Sequence, residues 1–241
     1  MKILVIIPAY NEEANILNTV IKVKKYKKIE LDYIVINDGS KDSTKDVLEK
    51  NKLNYIDLPF NMGIGAAVQT GYKYAYQNNY DIAIQFDGDG QHDINHIDRL
   101  INAIINDKAN MVVGSRYVEN ISKFKSTFAR QVGIRCISSF IKILSGKKIK
   151  DVTSGYRAVD RNIIKIFSNE YPHEYPEPVT NYALLKNNYI VKEVGVNMFE
   201  RANGKSSINC LKSVYYVFNV FISIIFINLK KYKKEVNDVK S

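Results

Sequence analysis

The chain has 241 residues, enough for one well-buried α/β domain with a small appendage and too few for two full domains. Hydrophobic residues make up 46% and charged residues 25%, which excludes a largely disordered chain. Lys and Arg outnumber Asp and Glu by 35 to 25, a formal charge of +10, so the partners to consider are anionic: nucleic acid, acidic lipid headgroups or phosphorylated substrates.

The first apolar run, residues 3–7, is too short for a secretory signal and lacks a small-residue cleavage site. It runs into Pro8-Ala9-Tyr10-Asn11-Glu12 and reads as a buried strand. A second run at 33–36 ends in Asn37-Asp38-Gly39-Ser40, and a weaker third covers 53–56. A fourth at 81–86 ends in Asp87-Gly88-Asp89-Gly90, and a fifth at 111–113 ends in Gly114-Ser115-Arg116. Unbroken β-branched runs suit parallel strands covered on both faces. Residues 12–25, 41–50, 64–77 and 94–106 between them have helical spacing. This alternation predicts a doubly wound α/β sheet, whose ligands sit beyond the carboxyl ends of the strands.

Beyond residue 120 the composition changes. Residues 122–150 carry eight Lys and Arg with apolar residues between them at helical spacing, a basic amphipathic helix. Asp151-Val152-Thr153-Ser154-Gly155-Tyr156-Arg157 follows, then a proline-punctuated loop at 171–178 and a predicted strand at 189–199. The last element, 214–229, is almost wholly apolar and precedes Lys230-Lys231-Tyr232-Lys233-Lys234. Cys136 and Cys210 are too few for a disulfide framework or a zinc site and are expected to be reduced core thiols.

Asp87-Gly88-Asp89 is the sharpest local signal. Two carboxylates one residue apart can turn toward one hard divalent cation, which prefers oxygen and bridges to phosphates. Asp and Gly also build ordinary surface turns. The position at the end of a buried strand favours the metal, and Gln91, His92 and Asp93 offer further polar groups. Asp38 can accept hydrogen bonds from a base or ribose, while Ser40 or Asp42 can cap the next helix. Gly63 and Gly65 open a helix where a nucleotide could approach closely, though not as a dinucleotide fingerprint. Tyr10 and Glu12 could hold a base, or merely form a strand-to-helix turn. No histidine has a nucleophilic serine or cysteine motif nearby.

In order, these segments resemble the family 2 glycosyltransferases of GT-A fold, in the subgroup around dolichol-phosphate mannose synthase and bacterial polyprenyl-phosphate sugar synthases. The resemblance spans roughly residues 1–207 and also uses Arg201–Ser207. It implies a Rossmann-like, mostly parallel GT-A sheet over residues 1–208, with an apolar C-terminal helix and basic tail over 209–241. It implies that Pro8, Tyr10, Glu12 and Asp38 surround the nucleotide, with Gly65 close by, and that Asp87, Asp89 and Gln91 hold Mg²⁺ or Mn²⁺ against the diphosphate. Arg116, Arg130 and Ser138 match the positions that grip the acceptor phosphate, and Arg201 and Ser206 fall on a loop closing over the donor. Asn37-Asp38 departs from the two acidic residues of many relatives. With no tryptophan, the chain lacks the Gln-x-x-Arg-Trp motif of processive polysaccharide synthases.

The activity so implied is inverting transfer of a sugar from a nucleotide-diphosphate donor to a polyprenyl (undecaprenyl) phosphate, for cell-surface glycan assembly. A phosphate acceptor is already ionised near neutrality and needs cationic positioning rather than a base. A hydroxyl of a lipid-linked or capsule-type glycan is the alternative acceptor and needs a base, for which Glu177 is the candidate. A nucleotidyltransferase would carry an arginine-bearing glycine-rich loop after the first strand, and Pro8–Glu12 is not one. A nucleic-acid binder explains the charge but not Asp87 and Asp89 at a strand end, so nucleic acid is not an expected partner. Residues 214–229 are about 16 residues, short of the ~20 that span a bilayer comfortably. With their tyrosine and lysine flanks they predict a helix in the interface of an anionic membrane, or paired with a small membrane protein or a second copy. That places the protein at the cytoplasmic face of the cell membrane.

Overall fold

The computed structural model describes residues 1–119, 121, 127–199 and 210–229. Its first part runs β1 (Ile3–Ala9), α1 (Ile16–Lys25), β2 (Asp32–Asn37), α2 (Thr44–Lys50), β3 (Tyr55–Asp57), α3 (Ile64–Gln77), β4 (Ile82–Gln85), α4 (Ile97–Ile105) and β5 (Met111–Ser115). Then come α5 (Phe128–Ser145), β6 (Arg157–Asp160), α6 (Arg161–Asn169), α7 (Pro176–Lys186), β7 (Val191–Gly195) and α8 (Cys210–Leu229). The strands form one sheet in the order β3-β2-β1-β4-β6-β5-β7. β6 alone runs against its neighbours β4 and β5. The other pairs are parallel.

Side chains of a strand alternate between its faces, and both faces of β1 are covered. Ile3, Val5 and Ile7 join α1 and α4 in one core; Leu4 and Ile6 join α3 and α6 in the other. Full burial of each such side chain contributes roughly 1.5–3 kcal/mol. Gly71 lets α3 close on β1, since a Cβ there would collide with Ile6. A third apolar cluster lies off the sheet and joins Ile134, Ile137 and Ile141 of α5 to Tyr182 and Leu185 of α7 and Val220 and Ile224 of α8.

Most boundaries fall close to the sequence expectation. The helix expected from residue 12 starts at Ile16, after a turn in which the Glu12 carbonyl accepts from Asn15 and Ile16. That expected from 41 starts at Thr44, whose N–H bonds to Asp42. That expected from 94 opens as a 3-10 turn, Ile94–His96, capped by Asp93. The long basic helix is shorter than 122–150: α5 ends at Gly146, which takes a left-handed φ of 73°. The proline loop ends as a helix, because Pro176 occupies the first turn of α7, where a missing N–H costs nothing. The strand expected over 189–199 is confined to β7, with Met198 forming an isolated bridge to His92. The apolar last helix begins at Cys210 rather than 214. The expectation of two core thiols fails for Cys136, which is exposed on α5.

Candidate active site

The parallel strands β1, β2, β4 and β5 all end at one edge of the sheet. Antiparallel β6 starts at that edge, with Arg157 paired to Gln85 and Val113. This reversal brings Gly155 beside Asp87. The Asp87-Gly88-Asp89 turn is pinned from two sides: Gly88 donates to the Pro8 carbonyl (3.2 Å), and Thr19 Oγ1 donates to the Gly88 carbonyl (3.1 Å). A Cβ at Gly88 would lie 2.9 Å from the Pro8 oxygen, so a side chain there would push the turn off β1.

Asp87 is half-buried and Asp89 is buried. Gln85 Nε2 donates to Asp87 Oδ1 at 3.2 Å, and Gln91 N–H donates to Asp89 Oδ1 at 3.0 Å. The Gln91 side chain donates to the Phe199 carbonyl at 3.2 Å. His92 is buried and stacks on Tyr156 at 4.7 Å and 11°. Its Nδ1 accepts the Asp87 N–H at 3.1 Å, so in the neutral ring the proton is on Nε2, 3.6 Å from Asp87 Oδ2. His92 thus braces the turn from beneath. Gly155 covers the Asp87 carboxylate: a Cβ would lie 2.7 Å from Oδ2 and 3.1 Å from Oδ1. Gly155 and Gln85 are site residues to which sequence reasoning gave no role; His92 was expected only to offer a further polar group, and the fold uses it as a brace. An inward-facing glutamine in an otherwise apolar strand was the available signal.

Glu177 reaches the same place from the first turn of α7. Burial pushes its carboxyl above the ordinary carboxylate value, and the Asp87 charge adds to this. The Arg157 charge and a hydrogen bond from Gln85 oppose it. Arg157 is fully buried and spends its guanidinium on the chain itself: Nε on the Ser154 carbonyl (2.8 Å), Nη1 on Thr180 Oγ1 (2.6 Å) and Nη2 on the Glu177 carbonyl (2.8 Å). It therefore holds α7 to β6 and does not belong to a surface array of arginines.

At the ends of β1 and β2, Tyr10 is exposed, Glu12 is half-buried, and Pro8 and Asp38 are buried. Asp38 accepts the N–H groups of Met62 (2.8 Å) and Gly63 (3.0 Å), tying the 61–63 segment to β2. Neither Ser40 nor Asp42 is the cap residue of α2; that position is Ser43. Gly65 corrects an expectation. A Cβ there would collide with the backbone of Pro172 and His173, so the close approach at Gly65 is made by the chain itself and not by space for a nucleotide.

The basic edge also departs from expectation. Arg116 is 8% exposed, and Asp151 holds it by a two-point fork, Nε to Oδ2 at 2.8 Å and Nη2 to Oδ1 at 2.7 Å. Burial alone would lower the Arg116 pKa; the Asp151 charge and hydrogen bond outweigh it and hold the guanidinium above its ordinary value. An open phosphate clamp at Arg116 is thereby corrected, since Asp151 already takes its fork. Ser138 is corrected too: its hydroxyl donates to the Ile149 carbonyl and fastens α5 to the returning chain. Arg130, near the start of α5, is half-buried. Burial and then the charge of Arg116 push its guanidinium below the ordinary value, while Tyr117, Asp151 and Tyr216 oppose the shift. Arg201 and Ser206 lie outside the described residues.

Asp87, Asp89 and Gln91 carry only oxygen acceptors of the kind Mg²⁺ or Mn²⁺ prefers, so their chemistry fits such an ion. The cradle over Asp87 that a Cβ at Gly155 would fill fits that use. Among the described residues no three His, Cys, Asp or Glu side chains converge, so these groups would hold only part of a coordination shell.

The family model for glycosyl transferase family 2 matches residues 4–167. A UDP-N-acetylglucosamine--dolichyl-phosphate N-acetylglucosaminyltransferase of Methanococcus voltae is 35% identical over 186 residues, covering 70% of this chain and 73% of its own. A polyprenol monophosphomannose synthase of Mycolicibacterium smegmatis is 27% identical, covering 86% and 80%. An undecaprenyl-phosphate mannosyltransferase of Micrococcus luteus is 29% identical, covering 66% of each chain. Among solved structures, glucosyl-3-phosphoglycerate synthase of Mycobacterium tuberculosis, in complex with Mn²⁺, uridine diphosphate and phosphoglyceric acid, superposes with a TM-score of 0.69 at 16% identity, covering 94% of this chain and 78% of its own. That likeness establishes the GT-A-type fold. With carboxylates gathered where this sheet places its ligands and more than half the chain matched by the model, the chain belongs to glycosyl transferase family 2.

Proposed function

We propose that the protein transfers a sugar, with inversion, from a nucleotide-diphosphate sugar to a polyprenyl phosphate at a membrane surface. The observation that carries this is Arg130: a half-buried guanidinium, pushed down by burial and by Arg116, beside Tyr216 of the apolar helix α8. A lipid phosphate would bring negative charge to this cation and an apolar tail to the neighbouring helix. The names of the Methanococcus, Mycolicibacterium and Micrococcus relatives support the same acceptor class.

In this reading Asp87, Asp89 and Gln91 hold Mg²⁺ or Mn²⁺, which supplies neutralising charge for the departing diphosphate. His92 and Gln85 fix the Asp87 carboxylate before the donor arrives. Tyr10, Glu12 and Asp38 line the nucleotide end, with Pro8 beneath them, and Arg201 and Ser206 act on the donor phosphates. Arg130 orients the acceptor phosphate, which attacks the anomeric carbon from the face opposite the leaving group. The phosphate is ionised already, so the chain need remove no proton.

The exposed apolar residues Tyr215, Phe218, Ile225 and Phe226 on α8, with Ile143 and Leu144 on α5, form the surface that meets the bilayer. Among the described residues no helix is long and apolar enough to cross a membrane. In this reading α8 lies in the membrane interface, or pairs with a small membrane protein or a second copy, at the cytoplasmic face, where both sugar nucleotides and lipid phosphates are reached. A second reading has its own support. The raised pKa of Glu177 beside Asp87 suits a base for a sugar hydroxyl on a lipid-linked or capsule-type glycan. Label transfer from sugar nucleotides into undecaprenyl phosphate, by wild type, Arg130→Ala and Glu177→Gln, separates the two.

A further inference from the structure

We propose that a pocket between α5 and the chain that returns from it is a second phosphate-binding site, distinct from the one that takes the acceptor. The cavity measures about 340 Å³ and is lined by Tyr117, Gln131, Arg135, Ser139, Lys148 and Lys150, among others. Of the residues matched above to the acceptor phosphate, Ser138 lines the pocket with its hydroxyl committed to the Ile149 carbonyl, and neither Arg116 nor Arg130 lines it.

The fold builds this pocket. Residues 131, 135 and 139 lie one turn apart and share a face of α5. Gly146, with φ of 73°, reverses the chain and brings Lys148 and Lys150 back toward that face. Ser138 then secures the return through the Ile149 carbonyl, and the Glu193 carboxylate secures it further by accepting the N–H groups of Lys150 (2.7 Å) and Asp151 (2.8 Å).

Three cationic side chains thus converge at one rim. None of the ion pairs among the described residues involves Arg135, Lys148 or Lys150. The one lining phenol, Tyr117, has a buried hydroxyl with no hydrogen-bond partner. A buried donor left unmade is costly, and like charges brought close together add to that cost. An anion in the pocket answers both. A phosphate group is the best match: its oxygens accept the guanidinium fork, the ammonium groups and the phenol together. The adjacent stripe of α5 exposes Val132, Cys136 and Ile143, an apolar edge beside a charged pocket. The phosphate comes either from a membrane lipid headgroup or from a soluble phosphate ester, and the chemistry recognised is the same.

The test uses the full-length protein with two probes: glycerol 3-phosphate by calorimetry, and flotation with phosphatidylcholine vesicles with and without phosphatidic acid. Arg135→Gln and Tyr117→Phe should each weaken phosphate-dependent binding roughly tenfold. Lys147→Gln removes the same charge just outside the pocket and should leave binding close to wild type. Binding of both probes with this pattern assigns the site to any phosphate ester; binding of the vesicles alone, with the same pattern, assigns it to a lipid headgroup. The proposal is overturned if neither probe binds, if Arg135→Gln and Tyr117→Phe bind like wild type, or if Lys147→Gln weakens binding as much as they do. Wild-type retention of glycerol 3-phosphate by Arg130→Ala would separate this site from the acceptor's.

Discussion

Asp151 holds Arg116 at three points: its Oδ2 accepts from Nε at 2.8 Å and from the backbone N–H at 2.9 Å, while Oδ1 accepts from Nη2 at 2.7 Å. Both side chains are almost wholly out of solvent. Asp151→Asn would leave a buried guanidinium without its counter-charge and should destabilise the fold by about 3–5 kcal/mol in denaturant unfolding. The double variant Arg116→Met, Asp151→Leu should recover most of that loss. A small effect for Asp151→Asn would mean that Arg116 finds its counter-charge elsewhere.

The Asp87-Gly88-Asp89 turn is expected to work through charge and not through folding. Asp89→Asn should abolish sugar transfer while moving the melting temperature little. Transfer by the wild type should also stop in excess chelator and return with Mn²⁺ or Mg²⁺. Full activity in chelator would remove the metal from the account.

Gly155→Ala probes the cradle over Asp87. The backbone at Gly155 is not left-handed, so alanine is acceptable there apart from the Cβ, 2.7 Å from Asp87 Oδ2. The carboxylate must move, and a misplacement on the order of 1 Å typically costs about 100-fold in rate. Transfer should fall by about that factor, with stability nearly unchanged. Unchanged kinetics would show that Asp87 can shift without loss.

These residues show how far the sequence was legible. The ends of β1, β2, β4 and β5 could be read because strand–helix alternation and turn residues mark them, and Asp87 and Asp89 fell where the topology predicts ligands. β6 could not. It is four residues long, begins with a fully buried arginine and ends in an aspartate, so nothing in its pattern announces a central strand. Gly155, which β6 carries to Asp87, was hidden with it. Glu177 was visible only as a carboxylate in a proline-rich stretch, since the α7 turn that aims it inward depends on Pro176 and on Tyr175 at φ 51°. Arg116 looked like a phosphate clamp because Asp151, 35 residues away, meets it only in three dimensions.

Glu177 links the site to pH. Its carboxyl titrates above the ordinary value of 4.5, chiefly because of burial. The folded state therefore holds this proton more tightly than the unfolded chain does. The associated stability is fully present below the unfolded pKa and is lost as pH rises through the folded one. Glu177→Gln should lack that loss, so its stability relative to wild type should increase with pH above 4.5, followed by denaturant unfolding across the acid range. A relative stability that instead falls with rising pH would mean that attraction to Arg157 outweighs burial.

In the proposed reaction a lipid phosphate accepts the sugar. The direct measurement is to incubate full-length protein with undecaprenyl phosphate, or with undecaprenol, and a panel of radiolabelled sugar nucleotides, and to count label in the lipid phase. Label is expected on the phosphate lipid alone, from at least one donor, lost with Arg130→Ala and retained with Glu177→Gln. Label that appears only on a sugar hydroxyl, and disappears with Glu177→Gln, would contradict it.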